Sequence, residues 1–152
     1  HGSIRRQRQM CIRDRFIKGG WTTGEEKALK NLSSSISWHS LGEGFTWETQ
    51  DRIRDEKLVQ EAWQLSKKYI KNESYKLIIL DEINIATKLG YLTSEEIITF
   101  LKSLNNRNNH VVLTGRGASD SIINYADLVT EMKLIRHPFK EQGIKAQKCV
   151  EF

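Results

Sequence analysis

The stretch Lys76-Leu-Ile-Ile-Leu-Asp81-Glu82-Ile-Asn84 limits what this chain can fold into more than any other. Leu77 to Leu80 are large aliphatics with no polar alternation, which predicts a strand covered on both faces, as in a parallel α/β sheet. That run ends abruptly in two carboxylates, and ligands of such sheets gather beyond the carboxyl ends of the strands. A single acid at this place reads as a solvated turn. Asp81 and Glu82 directly after the aliphatics read instead as an acidic edge facing a metal ion or a substrate.

The rest of the chain supplies the partners such a strand needs. Asp51 to Lys71 carries Leu58, Val59, Ala62, Leu65, Ser66 and Tyr69 at spacings of three and four, the pattern of a long amphipathic helix, and Asn72-Glu73-Ser74 breaks it. Thr93 and Glu96 form a capping box for a helix to Leu104 with Ile97, Ile98, Leu101 and Leu104 on one face. Val111-Val112-Leu113-Thr114 predicts a second buried strand ending at Gly115-Arg116-Gly117. Ser119 is placed to cap a helix carrying Ile122, Ile123 and Ala126, and Leu128 to Arg136 reads as a further strand. Shorter elements are expected at Thr23–Leu32 (helix), Ile36–Leu41 (strand) and Phe16–Lys18 (the tail of a strand). Pro138 falls where the last strand ends, and Gln147 to Phe152 suits a sheet edge. Helices alternating with strands give an α/β fold with a mostly parallel sheet flanked by helices.

With 152 residues, 38% hydrophobic and 28% charged, the chain suits one globular domain. No apolar run is long enough to cross a bilayer and no signal peptide is visible, so a cytoplasmic location is expected. Cys11 and Cys149 are too few and too far apart for a disulfide framework or a zinc site, and His39, His110 and His137 lack metal-ligand spacing. The net charge of +5 is unevenly spread, because residues 1–15 hold five arginines and one acid while the remainder holds 19 basic and 18 acidic groups. Residues 1–15 are therefore expected to be a disordered or non-native basic arm, with residues 16–152 as the domain. The arm suits a phosphate backbone; the near-neutral body argues against specific nucleic-acid binding.

Two further constellations carry chemistry. Gly44-Phe45-Thr46-Trp47 sets two rings on one side of an extended backbone, which can line a flat apolar ligand but taken alone more often forms a small core cluster under a loop. In Thr114-Gly115-Arg116-Gly117 the glycines permit close backbone approach and the arginine suits a phosphate or carboxylate. Acids at the end of an aliphatic strand follow the Walker B pattern, which ordinarily works with a phosphate-cradling loop. No G-x-x-x-x-G-K-[ST] occurs in the sequence.

The segments FIKGGWTTGE (16–25), GFTWET (44–49), LIILDEINIA (77–86), VVLTGRGAS (111–119) and HPFKEQGIKAQKCVEF (137–152) together resemble the ATP:corrinoid adenosyltransferases of the P-loop type, in order from Phe16 to Phe152. Cys149 departs from the glycine expected in that ending. Ahead of FIKG the family has a strand, a Walker A loop, a helix and most of a second strand, where this chain has its arginine-rich residues. The resemblance therefore implies a P-loop NTPase (RecA-like) fold, truncated at the amino end.

It also implies an activity: transfer of the 5'-deoxyadenosyl group of ATP to the cobalt(I) of a corrinoid, with release of triphosphate. Phe45 and Trp47 match the aromatics that close the lower face of the corrin ring, which favours cobalt(I) by displacing an axial ligand. Asp81 and Glu82 match the catalytic acids that hold or orient Mg2+, and Gly115, Arg116 and Gly117 fall at the nucleotide. ATP, Mg2+ and the corrinoid are the implied small molecules. A flavodoxin-type reductant and a homodimer are the implied partners, with no membrane and no specific nucleic acid. For lack of the Walker A loop, the chain itself is expected to be weakly active or inactive. Two other readings stand beside this one: a nucleic-acid-dependent ATPase fragment, since LDEIN also resembles a helicase box, and a corrinoid-binding module without catalysis.

Overall fold

The computed structural model describes residues 11–15, 28, 31, 36–40, 52–72, 74–104, 108–136 and 141–144. Within them lie four strands, β1 (Cys11–Arg15), β2 (Ile36–Ser40), β3 (Leu77–Asp81) and β4 (His110–Leu113). All pair in parallel, in the order β2-β1-β3-β4. The helices are α1 (Arg52–Lys71), α2 (Ile83–Lys88), α3 (Ser94–Lys102) and α4 (Asp120–Tyr125). The α/β class and the parallel sheet are as the alternation of apolar patterns requires.

Helix α1 forms where the three-and-four spacing lies. Its buried face runs Asp55, Val59, Ala62, Trp63, Ser66 and Ile70, and the helix packs on β1 and β3. Trp63 is fully buried and edge-on to Phe100 of α3, with ring centroids 5.3 Å apart. Beyond Lys71 the Asn72 Oδ1 accepts the Ser74 N–H at 3.0 Å, a local turn that stops the helix and leads into β3. Ile78 and Leu80 of β3, Ile83 and Ala86 of α2 and Ile97 of α3 complete a core with no exposed surface on any of the five. Each of the four aliphatics larger than alanine contributes about 1.5–3 kcal/mol relative to exposure.

The caps are those expected for α3 and α4. Thr93 Oγ1 accepts the Glu96 N–H at 3.1 Å and Ser119 Oγ accepts the Ile122 N–H at 3.3 Å. The Ser119 hydroxyl also lies 2.8 Å from that of Ser94, which ties the two helix starts together.

Three expectations are corrected. Residues 1–15 are not wholly outside the fold, because Cys11–Arg15 forms a strand between β2 and β3, with Cys11 opposite Ile36 on one side and Leu77 on the other. Arginine-rich composition hid it, since backbone pairing sets a parallel strand's place as firmly as its side chains do. Leu128 to Arg136 forms no strand: its residues are exposed and join no strand ladder among the described residues, and an extended segment becomes a strand only when a neighbour accepts its ladder. The third concerns the two strands expected to be buried: β3 is fully buried on the face of Ile78 and Leu80 but only half-buried at Leu77 and Ile79, and β4 has His110 and Val112 exposed and Val111 and Leu113 half-buried, as suits an edge among the described residues. The helix expected at Thr23–Leu32 is seen at residues 28 and 31, and its other residues, Phe16–Lys18, Pro138 and Gln147–Phe152 lie outside the described residues. Among the described residues no helix is long and apolar enough to cross a membrane.

Candidate active site at the ends of two parallel strands

The register of β3 and β4 builds the site. Leu80 stands opposite Leu113, so the next positions, Asp81 and Thr114, fall side by side at the carboxyl ends of the two strands. The ladder continues one step further, with Thr114 N–H donating to the Leu80 carbonyl at 3.1 Å. Beyond it, the Asn84 N–H donates to the Thr114 carbonyl at 3.1 Å. The start of α2 is thus fastened to the end of β4.

Asp81 is buried and its Oδ1 accepts a hydrogen bond of 2.8 Å from Thr114 Oγ1. Glu82 is half-buried and occupies the N-cap position of α2 with φ 64°, a left-handed conformation for which a residue with a Cβ ordinarily pays about 1–3 kcal/mol. Its side chain does not cap the helix. Instead the Glu82 N–H donates to Thr114 Oγ1 at 3.0 Å, and its Oε2 is buried with no hydrogen-bond partner among the described residues. Asn84 shows the same trait. Its Nδ2 donates to the Gly115 carbonyl at 3.4 Å, while Oδ1 is buried and unpartnered.

The glycine turn lies directly against these acids. Gly115 has φ +117°, and a Cβ placed there would come within 3.2 Å of Glu82 Cα, Glu82 Oε2 and Asn84 Cβ. Any side chain would therefore push on Glu82 and Asn84 as well as strain its own backbone. Gly117 has φ +76°, and a Cβ there would stand 3.1 Å from Lys88 Cδ, so the Lys88 stem crosses the turn. Arg116 is exposed between the two glycines. The structure thus brings Asp81, Glu82, Gly115, Arg116 and Gly117 together from the ends of neighbouring strands. Phe45 and Trp47 lie outside the described residues.

Sequence reasoning missed Thr114, Asn84 and Lys88. Thr114 carried a signal, as the residue that follows β4 where Asp81 closes β3. Lys88 carried none until α2 was known to turn it back toward Gly117.

The donor set suits a hard cation. Two carboxylates and an amide oxygen, two of these oxygens buried without partners, are the chemistry Mg2+ prefers, and Mg2+ ordinarily takes one or two carboxylates and fills its shell with waters and phosphate oxygens. No group of three or more His, Cys, Asp or Glu side chains gathers into a metal cage among the described residues.

The sequence matches the family model of ATP:corrinoid adenosyltransferase BtuR/CobO/CobP over residues 5–152. It is 48% identical over 143 residues to a corrinoid adenosyltransferase of Sinorhizobium sp, covering 93% of this chain and 66% of that protein. It is 47% identical over 137 residues to a corrinoid adenosyltransferase of Pseudomonas aeruginosa, covering 90% of this chain and 66% of that protein. Against the corrinoid adenosyltransferase of Escherichia coli K12 identity is 34% over 139 residues, covering 90% and 68%. The chain therefore spans about two thirds of the length of the curated relatives it matches.

Proposed function

The chain belongs to the ATP:corrinoid adenosyltransferase family, and from that premise we propose that it serves the transfer of the 5'-deoxyadenosyl group of ATP to the cobalt(I) of a corrinoid. The observation that carries the reading is a match over residues 5–152 in a chain whose strand-end acids and glycine turn lie together. In this transfer cobalt(I) supplies the electron pair to C5' of ATP, the C5'–O bond breaks, and triphosphate leaves with that bond's electrons. The corrinoid is thus its own nucleophile, and the protein's part is to position, to screen charge and to exclude competing ligands.

Each residue has a role suited to its chemistry. Asp81 and Glu82 would hold Mg2+, with Asn84 beside them, and an ion held there would neutralise charge on the departing triphosphate. Gly115 and Gly117 let the phosphates approach backbone, while Arg116 and Lys88 supply positive charge to them. Phe45 and Trp47 close the lower face of the corrin with apolar rings. The same reading takes a flavodoxin-type reductant as the source of cobalt(I), a homodimer as the assembly, the cytoplasm as the location and the P-loop NTPase, RecA-like type as the fold.

The test is formation of adenosylcobalamin from chemically reduced cobalamin and Mg-ATP. The 152 residues contain no G-x-x-x-x-G-K-[ST], so the assay compares the chain alone with the chain joined to a family-type segment carrying that loop. The joined chain is expected to turn over. The chain alone is expected to fall short by several powers of ten, since one preorganised oxyanion donor is worth roughly a hundredfold and the loop supplies several. Asp81→Asn in the joined chain should lower the rate by about a hundredfold or more. Unchanged turnover in that variant, or none in the joined chain, would overturn the proposal.

A further inference from the structure

Thr114 makes four hydrogen bonds to the five residues from Leu80 to Asn84, two by its backbone and two by its hydroxyl. The backbone pair would survive in any residue except, for the N–H, proline. The hydroxyl pair would not. A hydroxyl has one proton to give and lone pairs to accept with. Here the proton goes to Asp81 Oδ1 at 2.8 Å, and a lone pair takes the Glu82 N–H at 3.0 Å. One oxygen atom thereby fixes the side chain of the first acid and the backbone of the second.

We infer that Thr114 is the positioning residue of the acid pair, setting Asp81 and Glu82 for a small octahedral divalent cation and against a larger one; the inference rests on the cation reading of these acids given above. The strain at the site supports it. Glu82 sits at φ 64° without capping its own helix, and its buried Oε2 has no partner among the described residues. That arrangement persists only if something holds the Glu82 backbone, and the Thr114 hydroxyl is bonded to its N–H.

The selectivity follows from lone pairs. The hydroxyl proton occupies one lone pair of Asp81 Oδ1 and sets the carboxylate plane, which disfavours chelation through both oxygens. Ca2+ takes carboxylates in that bidentate mode readily, whereas Mg2+ and Mn2+ accept single oxygens at near-octahedral angles. Partners that orient ligating groups are commonly worth ten- to a hundredfold in metal affinity.

The experiment titrates Mn2+ into the full chain by EPR and displaces it with Mg2+ or Ca2+, for the wild type, Thr114→Val and Thr114→Ser, with thermal unfolding to confirm the fold. Thr114→Val keeps the shape and removes only the hydroxyl. It should weaken Mn2+ about tenfold and lower the preference for Mg2+ over Ca2+ severalfold, and Thr114→Ser should restore both. Thr114→Ala gives the same comparison should the valine variant not fold. Wild-type affinity and preference in Thr114→Val would overturn the inference. Weakened binding with an unchanged Mg2+/Ca2+ ratio and no rescue by serine would mark a merely structural role and also overturn it. Absence of Mn2+ binding in the wild type would overturn the cation reading of Asp81 and Glu82 itself, a result distinct from both.

Discussion

Asn109 Nδ2 donates to the backbone carbonyl of Ile70 at 2.7 Å, both groups buried, across 39 residues of sequence. The carbonyl belongs to the last turn of α1, where helix geometry supplies no partner, and Asn109 immediately precedes β4. A side-chain amide thus ties the end of the longest helix to the start of the strand that carries the glycine turn. Asn109→Ala leaves that carbonyl buried and unsatisfied, so it should cost about 1–3 kcal/mol in urea unfolding. A loss below a few tenths would show that water or the backbone replaces the amide without penalty.

Glu82 combines a strained backbone with a buried, unpartnered oxygen. Glycine at this position relieves the backbone cost and removes the orphan. Glu82→Gly should therefore raise stability by about 1 kcal/mol while weakening Mn2+ binding, the exchange expected where a functional group is held against its preference. Denaturant midpoints and Mn2+ titration measure the two effects separately. A variant no more stable than the wild type would mean that the left-handed backbone is relaxed in its surroundings.

Much of this architecture is legible residue by residue, and the failures have physical causes. Helix α1 and strand β3 follow from periodicity because each buries a face, and burial is what periodicity records. Helix α2 was not foreseen, since Ile83-Asn-Ile-Ala-Thr-Lys88 is too short to show a period and begins without a side-chain cap. Strand β1 escapes the pattern because Arg13, Asp14 and Arg15 are charged, and the expected strand at Leu128–Arg136 fails for the opposite reason, having the side chains without a ladder. The acids and the glycine turn were each visible as strand ends. That Thr114 joins them was not, because it depends on the pairing of Leu80 with Leu113, a register no local pattern encodes.

The segment after α4 exposes large apolar side chains, with Leu128 at 85%, Met132 at 93% and Ile135 at 88% of full exposure. Strand β4 is an edge of the sheet among the described residues, and its Val112 is also exposed. An open edge together with exposed aliphatics favours association between chains. The chain should therefore show concentration-dependent light scattering at micromolar levels. Replacing Leu128, Met132 and Ile135 by lysine should reduce it without lowering the unfolding midpoint, since none of the three side chains is buried. Equal scattering by wild type and variant would place the association elsewhere.

The last prediction concerns Phe45 and Trp47, whose proposed role is to occupy the lower axial side of cobalt with apolar rings. Reduction of cobalt(II) to cobalt(I) fills an orbital along that axis, and a ligand's lone pair opposes it. Two rings in place of the ligand remove the opposition, so cobalt(II) held by the protein before reduction should be four-coordinate. In the chain joined to a phosphate-loop segment, with ATP and cob(II)alamin present, the EPR spectrum should show that coordination. Phe45→Ala together with Trp47→Ala should return the spectrum to the five-coordinate form. Affinity for ATP should change little, because the residues proposed for the nucleotide follow β4 at Gly115, Arg116 and Gly117. An unchanged four-coordinate spectrum in the double variant would remove these aromatics from the corrin site, and loss of ATP affinity with the spectrum would show that they support the fold rather than the cofactor.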